Sequence, residues 1–184
     1  MKIYDITREL LSAPVYDGDT APTLKKVGNI KQGGFNTSDI TMCLHNGTHV
    51  DAPLHAVADG DSVETLSLAK FFGECSVVSL EKIGIKDVVK LRKRGVKRLL
   101  LRGAKVTPVV AIELSFLNLD VIGVETQSIG EKNVHRSFLS RGTAVLEGLD
   151  LSTVPDGDYI LIALPLKIKG ADGSPVRAML IQTE

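Results

Sequence analysis

The chain has 184 residues, 43% of them hydrophobic, with 22 Lys+Arg against 22 Asp+Glu. That length suits one domain with a sizeable core, expected over residues 1–184, and the balanced charge gives no field toward nucleic acid or an anionic membrane. The opening MKIYDITREL lacks a basic stretch followed by an apolar one, and no run approaches the ~18 apolar residues of a membrane span, so the cytoplasm is the expected compartment.

In chain order, apolar alternation and β-branched residues predict strands over residues 2–7, 36–44, 74–80, 97–102, 119–125, 143–147, 159–167 and 176–181. The last two flank GADGSP, whose Gly and Pro read as a hairpin connection. Helices are predicted over residues 86–94 with Gly95 as stop, from Thr107 and Pro108 onward, and over 131–141 with Gly142 as stop. Strands outnumber helices, so an α/β unit with an antiparallel or mixed sheet is expected rather than a doubly wound parallel one. The charge run KLRKRGVKR, residues 90–98, reads as the solvated face of a helix, since no aromatic residue accompanies it as at a nucleic-acid site. Cys43 and Cys75 lack a CxxC spacing and read as reduced thiols packed as small hydrophobes.

Chemistry concentrates in HNGTHVDAPLH, residues 45–55, which holds three of the chain's four histidines together with Asp51. His45 and His49 would share a helix face, as in an HExxH site, but Gly47, Thr48, Val50 and Pro53 make a poor helix. In an extended chain His45, His49, Asp51 and His55 share parity and therefore one face. Fully extended, these positions would span about 33 Å, so convergence on a metal requires bends, for which Gly47 and Pro53 are available. Imidazole nitrogen and carboxylate oxygen suit Zn²⁺, Mn²⁺ or Fe²⁺, and Asp51 could bridge two ions roughly 3.5–4 Å apart, given further ligands. His135 falls on the inward face of the third helix beside Val134, Phe138 and Leu139, either as a satisfied core residue or as a ligand. Glu147 interrupts the apolar strand in TAVLEGL, so it is either buried with a cation or a partner, or turned to solvent on an edge strand.

The segment resembles HxGTHxDxPxH, the signature of the cyclase family of metal-dependent hydrolases, which includes bacterial kynurenine formamidases and isatin hydrolases. YDGDTAP near the start and the stretch from AVLEGLDL to GADGSPVRAML are similar to the family as well. The resemblance implies the swivelling β/β/α fold, a mixed sheet or barrel-like core flanked by short helices. It also implies a homodimer or homotetramer, with the N-terminal segment helping to form the neighbour's pocket. His45, His49 and Asp51 would hold one ion, with Asp51 bridging to a second held also by His55, His135 and Glu147, giving one or two Zn²⁺ or Mn²⁺ per chain. His55 would move the proton. Tyr16 would contact substrate, standing where formamidases of this family usually carry Trp.

The implied activity is hydrolysis of a small amide by metal-activated water, arylformamidase-like, taking N-formylkynurenine to kynurenine and formate. The absence of tryptophan and the short region 103–118 keep a cyclic amide, imide or lactone open as the substrate. A non-catalytic, metal-binding oligomeric scaffold is the alternative from another class. All six ligand positions are filled, which weighs against it.

Overall fold

The computed structural model describes residues 1–182. Nine strands form one mixed sheet in the order β1-β11-β9-β5-β6-β7-β8-β4-β10. They are β1 (Lys2–Asp5), β4 (His49–Asp51), β5 (Phe72–Ser79), β6 (Arg98–Arg102), β7 (Val121–Val124), β8 (Ala144–Glu147), β9 (Gly157–Ile162), β10 (Gly173–Pro175) and β11 (Met179–Gln182). β5 to β8 run parallel and the remaining pairs antiparallel. An antiparallel bridge between Thr7 and Leu149 joins the end of β1 to the chain leaving β8, so the sheet curls on itself. This is the mixed sheet that the excess of strands predicts.

Strand parity separates two cores. Val50, Leu100, Leu146 and Leu161 fill the inside of the curl with Tyr4, Ile6 and Phe71. Their alternates Leu99, Leu101, Ile122 and Val145 meet three helices on the outer face. These are α1 (Ile85–Arg94), α2 (Pro108–Ser115) and α3 (Lys132–Leu139). Each begins and ends near its expected signals. Gly95, at φ 66°, stops α1 in the left-handed region, and Pro108 occupies the first turn of α2, where its missing N–H costs nothing.

Several expectations are corrected. GADGSP is not a hairpin: Gly173–Pro175 is strand β10, paired with β4, and the chain must cross the sheet before β11 returns to β9. Pro175 is tolerated there because β10 is an edge strand. The expected strand over 36–44 shrinks to β3 (Ser38–Thr41), which leaves the main sheet and pairs with an unexpected β2 (Thr23–Lys26). The strand expected over 159–167 ends at Ile162. The basic run is only partly a solvated helix face, because Arg98 is buried and donates to the carbonyls of Lys70, Glu74 and Ala69.

Candidate metal centre

β4 carries His49 and Asp51 on one face and Val50 on the other, where Val50 enters the inner core. β8 lies alongside, with His49 directly opposite Glu147. Glu147 shares parity with Val145 and therefore faces α3, whose His135 points back at it. Glu147 is 3% exposed and sits on an interior strand, which rules out the solvent-facing edge position. His45 and His55 arrive from outside the strand. Gly47, at φ 64°, turns the chain between His45 and β4, and Pro53 opens the 3-10 turn Pro53–His55. The shared extended face thus holds only for His49 and Asp51, and the two expected bends bring the other histidines in.

The convergence is tight. Asp51 Oδ1 lies 2.8 Å from His45 Nδ1 and 3.4 Å from His49 Nε2, and its Oδ2 lies 3.5 Å from His135 Nε2. Glu147 presents Oε2 to His49 Nε2 at 3.3 Å and Oε1 to His135 Nε2 at 3.1 Å, while Oε1 also accepts the Ile129 N–H at 2.6 Å. Each carboxylate therefore turns one oxygen to His49 and the other to His135. The ring of His55 lies 4.3 Å from that of His45 and 5.6 Å from that of His135.

Two atoms test whether a cation fits. His49 Nε2 and Asp51 Oδ2 are buried without an aligned hydrogen-bond partner. Such groups are expensive to bury unless something else satisfies them. Ligand atoms on a tetrahedral ion with bonds of ~2.0–2.1 Å lie about 3.3 Å apart, so the separations around His49 suit donors that share an ion better than donors that bond each other. Ligand atoms of His45, His49 and Asp51 lie within 4.8 Å of one another, as do those of Asp51, His55 and His135. The residues fit a divalent cation.

Charge leads to the same place. Burial by itself disfavours the His49 imidazolium, but the carboxylates of Asp51 and Glu147 outweigh it and raise its pKa to about 10. Such a histidine stabilises the metal-free fold in full below its ordinary value of 6.5, and the contribution is lost as pH rises through about 10. The unfolding midpoint of chelator-treated protein is therefore expected to fall across that window. Ion-loaded protein, whose ligand histidines are already unprotonated, should hold its midpoint there. A flat profile for the chelated form would contradict the assignment.

The centre opens into a cavity of about 380 Å³ at the carboxyl end of β8, lined also by Tyr16, Gln127, Ser128 and Lys132. Ligands collect at such strand ends in parallel sheets. Tyr16, 55% exposed, lines this cavity with the histidines of the centre. A larger cavity of about 550 Å³ lies at the amino end of β6, between Arg94, Arg98 and Asp158, and contains none of these residues.

Comparison with known proteins gives the family. The model of the Cyclase family matches residues 4–113. The chain belongs to this family. Kynurenine formamidase from Bacillus cytotoxicus is 36% identical over 188 aligned positions, covering 90% of each chain. The Delftia acidovorans enzyme of the same name is 36% identical over 202, covering 97% of each. Among solved structures, a "potential metal-dependent hydrolase with cyclase activity" superposes with a TM-score of 0.84 at 28% identity, covering 100% of this chain and 98% of that one. Isatin hydrolase A from Labrenzia aggregata gives 0.80 at 21% identity, covering 100% and 94%, a likeness of fold alone. The expected fold is the one found.

One residue of this cyclase-family centre escaped the sequence reading. Asp172, in the segment read as a turn, places Oδ2 3.0 Å from His45 Nε2 and 3.3 Å from His55 Nδ1. The available signal was an acid set among small residues inside a stretch that carries the family resemblance. Beside it, Gly173 is required for space: a Cβ there would lie 2.7 Å from His45 Cε1 and 2.9 Å from the Val50 carbonyl oxygen. Gly173→Ala is expected to push His45 off Asp51, reduce ion retention on desalting and lower stability by about 1–3 kcal/mol. Elemental analysis and thermal unfolding would check it, and unchanged ion content would contradict the packing argument.

Proposed function

We propose that the chain is a metal-dependent amidohydrolase that cleaves the formyl amide of N-formylkynurenine to formate and kynurenine. The observation that carries this reading is the pair of buried carboxylates, each shared between His49 and His135 at the wall of an open cavity. Naming of relatives as kynurenine formamidases supports the substrate. His45, His49 and Asp51 would hold one ion, and Asp51, His135 and Glu147 the second. His55, which the resemblance also implies as a ligand of the second ion, is read as the proton-transfer group beside both, its side chain 33% exposed on the cavity side. The donor set suits Zn²⁺ or Mn²⁺. When bound, divalent ions lower the pKa of water and polarise a carbonyl.

His55 takes the proton from the attacking water as the new C–O bond forms, then delivers it to the amide nitrogen as the C–N bond breaks, so that formate leaves one side and the aryl amine the other. Its position on the cavity wall, beside the rings of His45 and His135, supports this reading. Tyr16 offers its ring to the substrate's aromatic ring, in offset or edge contact. Neither cysteine suits nucleophilic attack: burial and then the nearby Asp19 push the Cys43 thiol up, and burial pushes up Cys75.

The β2–β3 ribbon supports a homo-oligomer. Its Leu24 and Ile40 pair across the strands on one exposed face, Phe35 is 86% exposed, and an isolated two-stranded ribbon is marginal in water. The free thiols of Cys43 and Cys75 suit a reducing, cytoplasmic compartment. Among the described residues no helix is long and apolar enough to cross a membrane.

The test is hydrolysis of N-formylkynurenine, formanilide, a cyclic imide and isatin by ion-loaded protein, with chelator and iodoacetamide arms. Preference for the formyl amides, lost on chelation and unaffected by alkylation, is expected. Activity that survives exhaustive chelation but vanishes on alkylation would overturn the mechanism, and preference for isatin would overturn the substrate.

A further inference from the structure

Asp172 stands outside the ligand set assigned above, yet its side chain reaches two members of the centre. We propose that it is a positioning residue: one carboxylate oxygen accepts N–H from both His55 and His45, and so decides which ring nitrogen each imidazole presents to the reaction. The inference rests on the reading that His55 moves the proton.

The backbone holds this carboxylate in place. The Asp172 carbonyl accepts the Ala52 N–H at 2.9 Å, and the next residue, Gly173, pairs with Asp51 across the β10–β4 ladder. Asp172 is thereby tied to the strand that carries His49 and Asp51, and Gly173 leaves room for the His45 ring against the chain. Both contacts go to the same Oδ2, at 3.0 Å from His45 Nε2 and 3.3 Å from His55 Nδ1.

An ionised carboxylate only accepts hydrogen bonds, so both ring nitrogens facing it carry protons. On His55 this leaves Nε2 with a free lone pair, the state a proton acceptor needs, and the bond to Nδ1 fixes tautomer and ring orientation together. On His45 it leaves Nδ1 bare, 2.8 Å from Asp51 Oδ1. In the ion-loaded protein that bare Nδ1, beside the Asp51 oxygen, would be the nitrogen that His45 offers to the ion. One oxygen thus sets the base and a ligand together.

The test compares wild type with Asp172→Asn and Asp172→Ala, all loaded with Zn²⁺. The chain has only four histidines, so ¹⁵N NMR of the imidazoles can assign each tautomer. Wild type is expected to show His55 protonated at Nδ1, a signature that Asp172→Ala loses. That variant should also lose about 10–100-fold in kcat, with zinc content unchanged and KM within about threefold. Asp172→Asn should fall between, because its amide oxygen still accepts one of the two N–H groups. Persistence of the Nδ1–H signature in Asp172→Ala would overturn the proposal. So would zinc loss that parallels the activity loss and is reversed by excess Zn²⁺, since Asp172 would then act as a ligand. A wild type without amidase activity would refute the proposed reaction, while the NMR result would still judge Asp172.

Discussion

Asp51→Ala is expected to release both ions and to lower kcat/KM by about 10³-fold or more. Partners that merely orient a ligand are worth about 10–100-fold, and this carboxylate is asked to touch both ions itself. Its Oδ1 faces His45 and His49, and its Oδ2 faces His135, whereas Glu147 reaches His49 and His135 alone. In the metal-free protein the same carboxylate neutralises buried imidazolium charge, and removing one partner of a buried pair typically costs about 3–5 kcal/mol. Asp51→Asn, which keeps the volume, should therefore be carried alongside, with circular dichroism to confirm folding. Elemental analysis of a folded variant that retained both ions would remove Asp51 from the bridging position.

His55→Gln is expected to behave differently: near-normal ion content, with kcat reduced on the order of 10²–10⁴-fold, the usual worth of a positioned proton-transfer group. The contrast matters more than either figure. Asp51 is wholly buried between its partners, whereas the His55 side chain is 33% exposed on the cavity side, where a substrate can reach it. Near-normal turnover in His55→Gln would exclude proton transfer by this residue. Loss of ions in step with the rate would instead make it a ligand.

Much of this centre is legible before folding because strand parity is rigid. Val50 and Leu146 must face a core, and that choice turns His49, Asp51 and Glu147 to the other side. The inward stripe Val134, Phe138 and Leu139 likewise brings His135 to the sheet. Contacts set by distant pairing are not legible in this way. Asp172 lies 127 residues from His45 and 117 from His55, and reaches them because β10 adds to the edge of β4. Gly and Pro in GADGSP signal a turn and an edge strand equally, so local chemistry could not separate the two. Strand β2, and with it the pairing that takes β3 out of the main sheet, is not legible for a related reason: TLKK is short and mostly polar, and no apolar alternation marks it.

The most direct measurement is the divalent-ion content of the reconstituted, desalted protein, read with its thermal midpoint before and after chelation. Two ions per chain and a midpoint that falls on their removal are the predicted result. Less than about a tenth of an equivalent per chain, with no thermal stabilisation by added Zn²⁺ or Mn²⁺, would contradict the account.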